Sequence, residues 1–146
     1  MASGFVTTMI RRSPEDVFAV LADVRLNAEW ASASVEAEKI TPGPVGLGTV
    51  AREVSQFMGR RMEVRSEVIE FEPDRKLGYL TSGGPFPFRG SFATEPIDGG
   101  TRLTATFEAQ PDGLFRFADR LFGMLAMRQF VRDLGTLKRL MESNQL

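Results

Sequence analysis

With 146 residues, a net charge of -1 and neither cysteine nor histidine, the chain can bury a core as one domain covering residues 1–146 but lacks the groups behind thiolate, zinc-thiolate and imidazole chemistry. Any catalysis must rest on Asp, Glu, Tyr, Arg, Lys, Ser or Thr, no metal or cofactor is expected, and the missing basic excess argues against nucleic acid as a partner. The N-terminal Met1-Ala2-Ser3-Gly4 lacks a basic segment followed by an apolar one, and no run of about 18 apolar residues occurs, so a soluble, unprocessed, cytoplasmic protein without integral membrane association is expected.

Phe5 to Arg11 alternates as a first strand, with Val6, Thr8 and Ile10 on one side and Phe5, Thr7 and Met9 on the other. Ser13-Pro14-Glu15-Asp16 is a helix start: Ser13 as N-cap, proline in the first turn and acids at the positive end of the dipole. Val17, Phe18, Leu21 and Val24 supply its apolar stripe, and Asp23 can cap a second short helical turn ending near Trp30, the only tryptophan. That indole either joins the core or walls a pocket, because it offers a large apolar face with one donor.

From Ser34 to Gln110 strands and turns alternate. The second strand is Ser34 to Ile40, and the loop Thr41 to Gly48 that follows lacks the Lys-Ser/Thr of a phosphate loop and opens no helix. Further strands are expected over Thr49 to Phe57, Arg61 to Phe71, Leu77 to Ser82, Phe86 to Glu95 and Thr101 to Ala109. The short turns at Gly59-Arg60, Pro73-Asp74, Gly83-Gly84-Pro85 and Asp98-Gly99 make consecutive strands antiparallel neighbours, hence a meander.

Turn type decides which side chains face inward. A type II′ turn at Gly59-Arg60 sets Phe57 opposite Met62, Ser55 opposite Val64 and Glu53 opposite Ser66, so that Glu53 points to the apolar side; one more loop residue would turn Arg52 inward instead. A type I′ turn at Asp98-Gly99 pairs Thr94 with Leu103, Phe92 with Ala105 and Gly90 with Phe107, and adds Phe86 and Phe88 to an aromatic inner wall.

Leu114 to Met141 is the one stretch long and apolar enough for a major helix, about 42 Å if unbroken. Leu114, Ala118, Leu121, Phe122 and Leu125 form one apolar face, whereas Met127, Phe130, Val131, Leu134, Leu137 and Met141 form another rotated by roughly 160°. A straight helix cannot present both faces to one core, so a break or π-bulge is expected near Met124 to Arg128, with the second half packed on the sheet and the first acting as cap, lid or homodimer contact.

Ser13 to Phe18 with Asp23 and Trp30, then Pro44 to Thr49, Glu72 to Leu77 and Asp133 to Leu140, occur in the order seen in a known group. In these motifs the chain resembles the START and pollen-allergen-like superfamily, in its bacterial polyketide cyclase/dehydrase branch. The resemblance implies an α+β helix-grip fold: a curved seven-stranded antiparallel sheet wrapped around a long C-terminal helix, two short helices between strands 1 and 2, and an apolar cavity between sheet and helix. Its expected lining is Trp30, Phe57, Val64, Ser66 and Tyr79, then Phe88, Phe92 and Phe107 from the aromatic wall, with Met127 and Val131 from the helix and a mouth near Gly83-Gly84-Pro85.

Three functional readings stay open, because members of one fold differ in function. The first is binding or carriage of a hydrophobic small molecule such as a lipid, quinone or polyketide, favoured by the aromatic wall and a poverty of inward polar groups. The second is a polyketide cyclase/aromatase-like enzyme, with Glu53 as base and Tyr79 as donor. The third is a co-chaperone-like interaction module using Leu114 to Leu125.

Overall fold

The computed structural model describes residues 2–57, 59–83, 87–109 and 119–146. Strand β1 (Ala2–Ile10) leads into α1 (Pro14–Ala22), a 3-10 turn (Val24–Leu26) and α2 (Asn27–Trp30). There follow β2 (Ser34–Lys39), β3 (Val50–Phe57), β4 (Arg60–Glu72), β5 (Lys76–Ser82), β6 (Phe88–Ile97), β7 (Gly100–Ala109) and α3 (Asp119–Glu142). One seven-stranded antiparallel sheet has the order β1-β7-β6-β5-β4-β3-β2, so β2 to β7 form the expected meander and β1 returns to pair with β7. The curved sheet and the long terminal helix make the helix-grip fold. No helix among the described residues is long and apolar enough to cross a membrane.

The local signals act where the residues put them. Ser13 Oγ accepts the Asp16 backbone N–H at 3.1 Å and Pro14 opens α1, while Asp23 Oδ1 accepts the Arg25 N–H at 3.1 Å and starts the 3-10 turn. Along β1, Phe5 and Met9 face solvent and Ile10 is buried.

Both informative hairpins differ in detail from expectation. Asp98 and Gly99 join β6 to β7 with the expected pairs Thr94–Leu103, Phe92–Ala105 and Gly90–Phe107, but only Gly99 takes a positive φ, +80°, so the turn is not type I′. Between β3 and β4, Phe57 pairs with Arg60, which moves the register by two residues and sets Glu53 opposite Val64 and Ser55 opposite Met62. A two-residue shift leaves every side chain on the same face. Glu53 therefore stays inside, and Arg52 lies outside, its guanidinium within 3.2–3.6 Å of Glu36, Glu38 and Glu63.

The terminal helix corrects the expected break. Over its described length α3 is continuous, and the conflict between two apolar faces is resolved by leaving the first one largely out of the core: Leu121 is 52% exposed and Leu125 half-buried. Residues 114–118 lie outside the described residues. Burial follows Ala126, Asp133, Leu134, Leu137 and Met141, with Phe130 half-buried on the same stripe, and Val131 is turned to solvent.

The C-terminal half is the seated half. Leu134, Leu137 and Met141 share a core with Ile10, Val17, Phe18 and Leu103. Arg12 Nη1 donates to the carbonyl oxygens of Met141 at 2.8 Å and Leu146 at 3.1 Å, a cation at the negative end of the helix. Glu142 Oε2 accepts the Arg11 backbone N–H at 2.9 Å, and Lys138 Nζ donates to the Met9 carbonyl. Leu134→Ala should therefore cost about 2–5 kcal/mol in chemical denaturation, whereas Leu121→Arg on the exposed turn should change stability by no more than about 0.5 kcal/mol. Equal effects of the two substitutions would contradict this division of the helix.

Candidate ligand cavity

Before Leu134, α3 is seated only on the β1 and β7 side of the sheet, where Ala126, Met127 and Phe130 pack on Gly4, Phe107 and Ala109, and the concavity on its other side is not filled. A cavity of about 300 Å³ lies there. The helix contributes Ala126, Gln129, Phe130 and Asp133 to its wall, and Leu21, Val24, Asn27 and Trp30 close it from the two short helices and the turn between them. The inward rows of β2 to β6 form the remainder.

Most residues expected at the site meet here. Trp30, Val64, Ser66, Tyr79, Phe88 and Phe92 all line the cavity, as do both chemical candidates, Glu53 and Tyr79. Trp30 is 7% exposed and stands edge-on to Phe92, with ring centroids 5.9 Å apart at 68°. Three expectations fail. Phe107 is packed beside Phe130 (5.1 Å) and Phe88 (6.4 Å) in a set of near-parallel rings and does not reach the cavity wall. Met127 points to β1, where Gly4 leaves a space that a β-carbon would close at 2.7 Å from the Met127 methyl. Val131, 55% exposed, is on the far side of the helix. The Phe57 side chain, Phe86 and the Gly84-Pro85 part of the expected mouth lie outside the described residues.

The wall is also less apolar than expected. Asn27, Ser34, Ser55, Thr81, Gln129 and Asp133 join Glu53, Ser66 and Tyr79 on it, so the expected poverty of inward polar groups is corrected. Ser55 could have been found from the same period-two argument that placed Glu53, and Thr81 from its parity with Tyr79. Gln129 and Asp133 are polar residues on the stripe that runs from Ala126 to Leu137, a sign of a helix face that meets something other than core. Ser34 depends on a bulge in β2 after Ser34, which no short-range pattern marks.

Burial sets the electrostatics. Loss of water pushes the Glu53 carboxyl above its ordinary value, an effect moderated by Ser34 and by Asn27, whose Nδ2 lies 3.5 Å from Glu53 Oε2. Burial, and then the Glu53 charge, push the Tyr79 hydroxyl up, so it stays protonated. Asp133 is likewise raised by burial, against hydrogen bonds from Ser32 and the charge of Arg132. Two polar atoms on lining residues, Trp30 Nε1 and Ser34 Oγ, are buried without a hydrogen-bond partner among the described residues. Ser66 and Thr81 have satisfied each other, their hydroxyls 3.3 Å apart.

A curved sheet gripping a helix, with a walled cavity between them, defines a START-like helix-grip protein. Residues 1–142 match the family described as polyketide cyclase / dehydrase and lipid transport, and the chain belongs to that family. It is 30% identical over 135 residues to an uncharacterised protein of Mycobacterium tuberculosis, a match covering 84% of this chain and 75% of that one. Among solved structures it is similar to a START superfamily protein from Mycobacterium smegmatis, with a TM-score of 0.77 at 13% identity over 97% of this chain and 99% of that chain. It is also similar to the Zhui aromatase/cyclase from Streptomyces sp. R1128, with a TM-score of 0.72 at 19% identity over 92% of this chain and 89% of that chain. At these identities the two structures report the fold.

Two measurements probe the walls. With its pKa raised in the fold, Glu53 makes the folded chain bind more protons than the unfolded chain from about its ordinary 4.5 upward. Its contribution to stability is thus full at low pH and is lost as pH rises through the raised value. Glu53→Gln should gain on the wild type across that rise and hold a constant difference above it in urea titrations; a difference independent of pH would mean Glu53 is solvated. Separately, Gly90→Ala would place a β-carbon 2.5 Å from Tyr79 Oη and 2.6 Å from Cζ. Displacing that ring should cost about 1–3 kcal/mol in the same assay.

Proposed function

We propose that residues 1–146 act as one ligand-binding unit that holds and carries a hydrophobic small molecule of lipid, quinone or polyketide type between the sheet and α3. The observation that supports this most directly is the cavity of about 300 Å³, within the size range of small-molecule sites, enclosed by aromatic rings with a few convergent polar groups. The family's description includes lipid transport. The side chains that would hold the ligand are Trp30, Val64, Tyr79, Phe88, Phe92 and Phe130.

A second reading, turnover of a polyketide-like substrate, is favoured by one specific feature: Glu53 and Tyr79 share the cavity. A desolvated carboxylate is a stronger base than one in water, and a protonated phenol can donate to a developing enolate oxygen. Incubation with a reactive poly-β-keto thioester, with product analysis by mass spectrometry, separates the two: carriage leaves the compound unchanged. The interaction-module reading has less support, because the exposed apolar stripe of Leu121, Met124 and Val131 is interrupted by the exposed Arg128.

Carriage predicts that an apolar ligand present at about a hundred times its Kd stabilises the chain by about 2.7 kcal/mol, which for this size raises Tm by roughly 5–10 °C. Trp30 fluorescence should shift in the same titration. Phe88→Trp should weaken large ligands more than small ones while the fold is retained. No thermal shift across fatty acids, sterols, quinones and aromatic polyketides would count against carriage and promote the interaction module.

A further inference from the structure

Resting on that binding reading, we infer that the cavity selects an uncharged ligand whose hydroxyl or carbonyl oxygen docks in the corner made by Asn27, Ser34 and Glu53, with its ring or chain running toward Phe88 and Phe130.

The distribution of polar groups across the sheet carries this. Ser34 and Glu53 sit on the neighbouring strands β2 and β3, and Asn27 approaches them from α2, its amide 3.5 Å from Glu53. Phe88 belongs to β6, three strand spacings from β3, or about 14 Å along a flattened sheet. There it stands parallel to Phe130 at 6.3 Å. Asn27, Ser34 and Glu53 thus make a polar corner beside Trp30, and Phe88 with Phe130 a distant aromatic one, where Thr81 opposite Phe88 already shares its hydroxyl with Ser66 and Gln129 is the remaining polar side chain; that separation orients an amphipathic guest.

Charge decides what the polar end accepts. The titratable and charged side chains that face the cavity are Glu53 from β3, Asp133 from α3, Tyr79 from β5 and Lys39 from β2. Arg52, the neighbour of Glu53 in sequence, is engaged with Glu36, Glu38 and Glu63 on the outer surface. Lys39 pairs with Ala51 rather than with Glu53 and lies toward the far end of β2 from Ser34. A carboxylate or phosphate head placed in the corner would meet a desolvated carboxyl without a facing guanidinium, a costly arrangement. A hydroxyl can instead donate to Glu53 and accept from Asn27 or Ser34. A carbonyl can accept from Asn27 and from the Ser34 hydroxyl, which is near enough to Glu53 to lower its carboxyl pKa but makes no hydrogen bond of good geometry among the described residues.

Isothermal titration of the wild type with 2-naphthol, 2-naphthoate and 2-naphthylmethylamine at about pH 7.5 tests this, since the three probes share a ring and differ in the charge of the head. Naphthol should bind at least about tenfold more tightly than naphthoate. Glu53→Gln should reduce that ratio to about threefold or less, while Arg52→Gln on the outer face leaves it unchanged. Lowering the pH while naphthoate is still charged should narrow the ratio more for the wild type than for Glu53→Gln, in which Asp133 is the remaining cavity carboxyl. Naphthoate binding as tightly as naphthol would overturn the inference while leaving the cavity reading in place, all the more if Lys39→Met abolished it. Amine binding tighter than naphthol and lost in Glu53→Gln would overturn it in favour of a cationic ligand. Binding of none of the probes, with no thermal shift, would overturn both.

Discussion

The structure depends on how α3 is anchored: by its last turns and on one side. Leu134, Leu137 and Met141 enter the core with Ile10 and Leu103, and the helix end is held by Arg12 and by the Arg11–Glu142 contact. Interiors close to crystal density leave little void where side chains interdigitate. A cavity can therefore persist only where the helix and sheet are held apart, and that is on the β2 to β5 side of Ala126 to Asp133, whereas on the β1 and β7 side Ala126, Met127 and Phe130 are packed against Gly4, Phe107 and Ala109. The anchor and the cavity are two consequences of one geometry, a continuous helix laid against one side of a curved sheet.

The aromatic rings divide labour along the same axis. Phe88, Phe107 and Phe130 form a parallel set that fills the space between β6, β7 and the helix, so Phe107 contributes packing and only Phe88 and Phe130 meet the cavity. Trp30 and Tyr79 flank Phe92 and form a second wall. Gly90 makes this possible, because any side chain there would collide with the Tyr79 ring.

Burying Glu53 and Asp133 in such a place costs stability, since both carboxyls are less solvated than in the unfolded chain. In a core whose purpose was packing alone, apolar residues of similar volume would serve as well or better. Asp133 has a local partner, since Ser32 in the turn before β2 offers its hydroxyl and backbone N–H to lower the carboxyl pKa. Among the described residues Glu53 has a long contact from Asn27 and the proximity of Ser34. The retained cost is most economically explained by a guest that supplies the missing partner, which is the physical content of the binding reading.

Much of this architecture was legible in the residues. Ser13 and Asp23 as caps, strand alternation and turn residues are local effects, and so the two short helices and the meander could be read in advance, while the inward side of β3 stayed open between Glu53 and Arg52 until the turn length was known. Of the two alternatives, the two-residue turn placed Glu53 inside, and although its register was two residues from the observed one, the side agrees because the period of a strand is two. The long helix shows where local reasoning stops. Its two incompatible apolar faces were visible, but bending the helix and exposing one face satisfy the pattern equally well, and only the surrounding sheet decides between them. The site divides in the same way. Sequence parity placed Val64, Ser66 and Tyr79 inward, yet whether an inward side chain packs or lines a cavity depends on the gap between two surfaces, which no local pattern encodes. That is why Phe107 and Met127 went to packing, Val131 to solvent, and Asn27, Ser34 and Asp133 to the wall.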